Sequence, residues 1–328
     1  MRSFATGLST ATQEWGPMHE FPLLMGPNAG GFPHVFAGSS VPWNVGIGRL
    51  AARMILGRLD PSAFAPEREG NKHRLGPGLV ASFVPEFFPN VEIGGGRFFH
   101  RRWPDDGIDL SVLKLPFEGF LKAHEEGSVD IPDNQLASAY VRLVSPQKHV
   151  EVYGEYLRDD HSRDARDLAL EPDHESSFAV GVRKAWIQSS GAVNALTLES
   201  VNARLTHLVR VRSESPMYVH EDISEGHTER GKLLGSPAAF GGSGLAIVFA
   251  RYTVSGEWKA ALRSEGSAQN NEGGRWNGLH VGANEIEASR MFRTSRAEYT
   301  IGATARANWD DVQGPNNLSL VFGVRPRW

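Results

Sequence analysis

The stretch YVHEDISEGHTERGKLLGSPAAFGGSG, residues 218–244, gathers residue types that move protons and bind anions. His220, Glu221, Asp222 and His227 are candidate acid–base groups by type, and Arg230 and Lys232 stand between glycines. No Ser-centred nucleophile motif accompanies them, and histidines in a polar loop are ordinarily only solvated, so no catalytic residue is assigned and the chain reads as a non-enzyme. Asp159, Asp160, His161, Asp164 and Asp167 offer oxygens to a divalent cation. Their spacing matches no calcium loop, a solvated acidic tip is the preferred reading, and neither a metal nor a cofactor is implied. Aromatic and charged residues crowd the long polar stretches: Arg101, Arg102 and Trp103; Tyr218, His220 and Glu221; Arg275 and Trp276. A guanidinium forks onto carboxylates and a flat ring covers a sugar face, which suits an acidic sugar polymer, although loop packing and interface anchoring use the same residue types.

These groups need a scaffold, and the scaffold is written in period two. At the C-terminus Leu318, Leu320, Phe322, Val324 and Trp328 share one side of an extended segment, opposite Ser319, Gly323, Arg325 and Arg327. Similar stripes predict strands near 43–58, 79–85, 91–98, 135–145, 150–157, 177–187, 192–206, 245–254, 257–265, 283–291, 297–307 and 317–326, with almost no helical periodicity. Short turns (86–90, 146–149, 188–191, 255–256, 292–296) alternate with long polar loops (59–78, 99–134, 158–176, 207–244, 266–282, 308–316). That rhythm is expected of an up-and-down barrel with tight turns on one rim and long loops on the other. It places the C-terminus on the short-turn, periplasmic side, with Trp328 at an interface.

Face assignment agrees from strand to strand. Val150, Val152 and Tyr156 oppose His149, Glu151, Tyr153 and Glu155, while Trp258, Ala260 and Leu262 oppose Glu257, Lys259, Arg263 and Glu265. Charges at that density would cost several kcal/mol in a dry core. The inner face is therefore expected to be wet or laced with ion pairs, with Glu155 and Arg263 as lumen supports. In 43–58 the phase breaks between Ile47 and Leu50; a bulge near Gly48 would restore it and turn Arg49 and Arg53 inward.

Composition removes other classes. A net charge of −4 argues against a nucleic-acid partner, and no run approaches the roughly 18 apolar residues of a membrane helix. Cysteine is absent, which excludes thiolate sites and disulfides. The mean hydropathy of −0.32 does not count against a membrane barrel, because alternate residues face lipid and lumen. The first residues, MRSFATGLSTATQEW, carry no apolar core of a secretory signal.

Four stretches carry a family likeness: EWGPMHEFPLLMGPNAGGFPHV at 14–35, NVEIGGGRFFHRRW at 90–103, QLASAYVRLVSPQKHVEVYGEYLRDD at 135–160, and the 218–244 loop. Together they resemble the Wzi capsule-assembly family. The matching positions are Trp15, Gly16, Pro17, Asn28, Ala29, Phe32 and Pro33; then Tyr153, Gly154, Glu155, Asp159 and Asp160; then Gly226, Thr228, Arg230, Gly231, Leu234 and Gly235. His227 and Glu229 depart from the family's Tyr and His at those places. The resemblance implies an all-β, transmembrane antiparallel barrel of one domain over 1–328, with about 12–14 strands visible of an 18-stranded family barrel and an incomplete N-terminus. It implies an outer-membrane, monomeric, lectin-like protein in contact with outer-membrane lipid, holding capsular or other exopolysaccharide. Arg101, Arg102, Trp103 and Arg230 are the expected polymer contacts, with Arg230 near Glu155 and Arg263 on the lumen side. It also implies that Trp328 closes the last strand as an assembly signal. A porin with a charged lumen is the alternative.

Overall fold

A computed structural model describes residues 3–65, 73–104, 107–117, 133–159, 175–204, 215–220, 223, 225–270, 276–309 and 315–327. The strands are β1 (Phe4–Ser9), β2 (His34–Ser39), β3 (Trp43–Asn44), β4 (Gly48–Leu59), β5 (Arg74–Pro85), β6 (Val91–Arg102), β7 (Asp133–Ser145), β8 (Val150–Asp159) and β9 (Ser176–Ile187). They continue with β10 (Val193–Asn202), β11 (Thr228–Glu229), β12 (Lys232–Leu233), β13 (Ser243–Thr253), β14 (Gly256–Asn270), β15 (Trp276–Arg293), β16 (Ala297–Asn308) and β17 (Asn317–Pro326). β11 and β12 make a separate hairpin, and the others form one 15-stranded sheet in chain order, with β3 folded back on β4 and β10 passing directly to β13. The pairing is antiparallel throughout. This is the up-and-down barrel architecture that the alternating stripes predict.

All twelve expected strands are present, and β1 and β2 are additional. They are six residues each and stand on either side of the 10–33 segment, so neither shows a long stripe. The phase break in 43–58 is not a bulge. Trp43 pairs with Leu50 and Asn44 with Arg49, and Gly46 at φ +84° lets the chain reverse between them. Arg53 does point inward, its guanidinium 5.0 Å from the Phe36 ring centroid. The expected long loop at 266–282 is mostly strand: β14 and β15 keep pairing through Ser267–Val281 and Ala268–His280 and again at Asn270–Trp276, and 271–275 lie outside the described residues. Glycine and asparagine there read as loop, yet the partner strand supplies the hydrogen bonds that local propensity does not.

Across β13–β17 the outward side chains form an apolar wall. Leu245, Ile247 and Phe249, then Trp258 and Leu262, then Ile301, Leu320, Phe322 and Val324 are exposed on it. Aromatics bound this band at both ends. At the short-turn end Trp258 lies under the Arg290 guanidinium at 4.5 Å, and Phe292 stacks on Tyr299 at 5.2 Å. At the other end Trp309 continues the same side of β16. From Tyr299 to Trp309 an extended chain covers roughly 33 Å, or about 25 Å along the axis of a barrel whose strands tilt near 40°. That is the height of an outer-membrane hydrocarbon band. Trp328 lies outside the described residues.

The inner face carries charge, paired as expected. Arg142 reaches Glu151 at 2.5 Å and Glu92 at 3.4 Å. Arg263 holds Glu285 at 3.0 Å and Glu287 at 2.7 Å, and Arg306 adds Glu265 at 3.5 Å.

The core sits inside the sheet. The 10–33 segment enters the lumen and buries Trp15, Met18, Phe21, Leu23, Leu24, Met25 and Phe32. These pack with Ile55 and Leu59 of β4, Phe98 of β6, Leu136 of β7, Tyr153 and Leu157 of β8, Ala179 of β9, Val201 of β10 and Ala246 of β13. One short segment can touch so many consecutive strands only if the sheet wraps around it.

Candidate functional site

Two carboxylates from the barrel wall hold the plug by its backbone. Glu199 Oε1 accepts the His19 amide at 2.9 Å, and Oε2 accepts those of Glu20 at 2.8 Å and Phe21 at 3.2 Å. The Tyr153 hydroxyl donates to Glu199 Oε1 at 2.7 Å. Glu155, 3% exposed, accepts the Leu23 amide at 3.3 Å. Apart from a single Trp15–Met25 bridge, a plug rich in Pro and Gly makes no ladder of its own, so most of its amides need acceptors from outside, and charged acceptors bind them most strongly. Gly16 explains the close approach: at φ +90° a Cβ there would stand 2.8 Å from the Glu155 carboxylate. From β14 Arg263 Nε donates to Glu20 Oε2 at 2.6 Å, so Glu155 and Arg263 both grip the plug from the lumen side.

The 215–240 loop closes over it. The Tyr218 hydroxyl donates to the Leu23 carbonyl at 2.6 Å, and the Tyr218 amide donates to Asp159, which is therefore committed to the loop. Burial raises the Tyr218 phenol well above its usual range, and the charges of Glu155 and Asp159 add to that. His227 Nε2 lies 2.6 Å from the Leu24 carbonyl and must donate to it, so Nδ1 accepts from His100 Nε2 at 2.7 Å. Burial pushes His227 down to about 4, against the Leu24 hydrogen bond and with help from the Arg74 charge. Arg74 donates to the Gly226 and Thr228 carbonyls, the latter at 2.7 Å. Gly226, at φ +56°, has no room for a Cβ, which would meet the Tyr218 carbonyl oxygen at 1.9 Å. Of the four residues singled out as acid–base candidates, His227 is structural, His220 lies on the loop, and Glu221 and Asp222 lie outside the described residues.

The two positions that depart from the family pattern both turn inward. His227 is fully buried, and Glu229 is 3% exposed with Oε2 accepting the Asp60 amide at 2.7 Å. Burial raises the Glu229 carboxyl above its ordinary value, opposed by that hydrogen bond.

Arg230 lies on the rim, not against Glu155 and Arg263. Its side chain is 69% exposed and reaches Asp60 at 2.8 Å. Asp60 also meets Arg58 Nε at 3.1 Å and His73 Nδ1 at 3.0 Å. Burial raises the Asp60 carboxyl, but the Arg230 hydrogen bond and the surrounding cations outweigh it and hold it below its usual range. Trp103 sets its ring edge-on to His73 at 6.3 Å, and its amide donates to the His73 carbonyl at 3.0 Å. Thus Trp103 and Arg230, far apart in sequence, converge on one patch through His73 and Asp60. Arg101 pairs with Leu75 on the outer side of β6, and Arg102 pairs with Arg74 and is exposed at the strand end.

Sequence reasoning missed Glu199, His100, Arg74, Asp60 and His73. For Glu199 a signal was present: Thr197, Glu199 and Val201 share the parity of the other lumen-facing charges. The remainder of the acidic run that begins at Asp159, together with Arg275, lies outside the described residues, as does the Trp276 side chain. Among the described residues no group of three His, Cys, Asp or Glu side chains is arranged to hold a metal ion.

No family model and no curated protein matches the sequence. Among solved structures the chain is similar to Wzi, an outer membrane protein involved in group 1 capsule assembly in Escherichia coli and described as a carbohydrate-binding β-barrel. The TM-score is 0.69 at 15% identity, over 99% of this chain and 68% of that one. At that identity the likeness establishes the fold.

Proposed function

We propose that this chain is a plugged outer-membrane barrel that binds carbohydrate and holds capsular or other exopolysaccharide at the cell surface. The observation that carries the reading is the rim patch. Arg58, His73 and Arg230 meet Asp60 at the long-loop end, Trp103 sets its ring against His73, and Arg101 and Arg102 lie on the neighbouring strand end. A ring beside guanidinium groups is what an acidic sugar polymer needs: a face for the sugar and a fork for its carboxylate. The fold likeness to a carbohydrate-binding barrel supports the same reading. In this reading the chain performs no catalysis, works as a monomer and uses no cofactor.

The lumen argues for a scaffold rather than a pore. The 10–33 segment and the 215–240 loop bury apolar side chains against β4–β13, where an open channel would keep water.

Replacing Arg230 by Ala together with the Arg101–Trp103 cluster tests the assignment in capsulated cells. Polymer should pass into the medium while barrel insertion and total polymer stay normal. Full retention of surface polymer would remove these residues from the binding role.

A further inference from the structure

The outer wall of β1–β6 departs from a plain lipid-facing surface at its long-loop end. One row of outward residues runs Leu8–Val35–Leu56–Pro77 through consecutive register partners. The next row toward the long loops runs Arg58–Leu75–Arg101. Two arginines therefore flank Leu75, about 10 Å apart at two strand spacings, directly above an apolar row. Between these rows and the segment after β6 lies a groove of about 560 Å³, lined by Leu8, Val35, Leu56, Leu75, Trp103 and Ile108. The segment at 107–117 forms its far bank, with Val112 and Leu115 packed on Leu75 and Phe99.

The charge is asymmetric. Arg58 and Arg101 face this wall, with Lys114 exposed on the bank, against Asp60 and Asp109. Among the described residues the Arg101 side chain has no hydrogen-bond or ion-pair partner, and its charge acts on Asp109. An arginine beside the hydrocarbon band is costly unless it meets an anion at the interface.

We infer that this groove is a binding site for a phosphorylated outer-leaflet lipid, with one acyl chain along Leu8, Val35 and Leu56 and the phosphate across Arg58 and Arg101. The apolar row fixes the chain, and the arginine row sits where a headgroup phosphate begins. Guanidinium forks match phosphate oxygens. Trp103 and its His73 partner close the mouth at the depth where amphipathic rings favour the interface. Arg58, already paired with Asp60 and His73, together with Arg101 and Trp103 also belongs to the rim patch of the polymer reading, whereas Arg230 belongs to that reading alone, so a polymer-free lipid assay separates the two.

The experiment uses the protein in phosphatidylcholine nanodiscs doped with either bis-phosphorylated or dephosphorylated lipid A, read by native mass spectrometry of the released protein. The wild type should retain the phosphorylated lipid about tenfold better or more. Arg58→Gln with Arg101→Gln should erase that preference, and Leu56→Trp, which fills the groove, should lower retention of both lipids. Equal retention of the two lipids by the wild type overturns the inference without requiring any variant to fold. A preference that survives the double substitution overturns the role given to the arginines.

Discussion

Glu199→Gln should release the plug without dismantling the barrel. The carboxylate takes four donors on two oxygens: the His19, Glu20 and Phe21 amides and the Tyr153 hydroxyl. A carboxamide keeps one oxygen. Its cheaper orientation turns the nitrogen toward His19 and Tyr153, because the Tyr153 hydroxyl can rotate and accept, whereas Glu20 and Phe21 offer only amide donors. One part-buried amide is then orphaned at about 1 kcal/mol, the low end of the usual cost, and two charge-assisted bonds fall to ordinary strength at about 1 kcal/mol each. The sum is about 3 kcal/mol, or roughly a 100-fold change in local opening. Hydrogen exchange measured on intact protein should show the His19–Phe21 amides exchanging faster by that order, while amides in β13 and β14 keep their protection. Tyr153→Phe, which removes one neutral donor, should move exchange far less. If Glu199→Gln leaves His19–Phe21 within about threefold of the wild type, the carboxylate does not hold the plug and the reasoning fails.

Acid should loosen the latch through His227. Its folded value of about 4 lies below the free value of 6.5, so the unfolded form binds more protons between those limits. The latch is at full strength above pH 6.5 and loses about 3 kcal/mol by pH 4. Proteolytic nicking of 215–240 should follow that window, and His227→Gln should flatten it; the same acid sensitivity in the variant would assign the effect to other groups, Glu229 among them. Gly16→Ala should expose the plug to exchange even with Glu199 intact, since φ +90° and the 2.8 Å approach to Glu155 are both incompatible with a side chain. A normally protected plug would contradict this. A tag at Gly191, on the short-turn rim between β9 and β10, should be unreachable on intact cells, and surface labelling there would reverse the proposed orientation.

The barrel was legible because period two fixes which residues share a face, and each outward apolar stripe declares itself without knowledge of its partner. Glu151, Tyr153 and Glu155 were placed inward on that ground, and all three are inward. The plug was not legible. Phe21, Leu23, Leu24 and Met25 follow no period, since an irregular segment inside a lumen is shaped by the walls around it rather than by its own repeat. Arg230 illustrates the same limit from the other side. Its loop could be read as folding toward the charged wall, but the turn at Arg230, with φ +50°, and the hydrogen bond its amide donates to the Asp60 carbonyl carry the side chain to the rim. Nothing in the sequence near residue 230 announces Asp60, 170 positions away.

The proposed function requires this barrel to bind acidic polysaccharide through its rim. Calorimetric titration of the purified, reconstituted protein with surface polymer isolated from the producing cells tests it most directly. Saturable binding is expected, weakened about tenfold or more by Arg230→Ala with Trp103→Ala and lost when the polymer's carboxylates are reduced to alcohols. Absence of binding by the wild type, or equal binding of native and carboxyl-reduced polymer, would exclude that role for the rim.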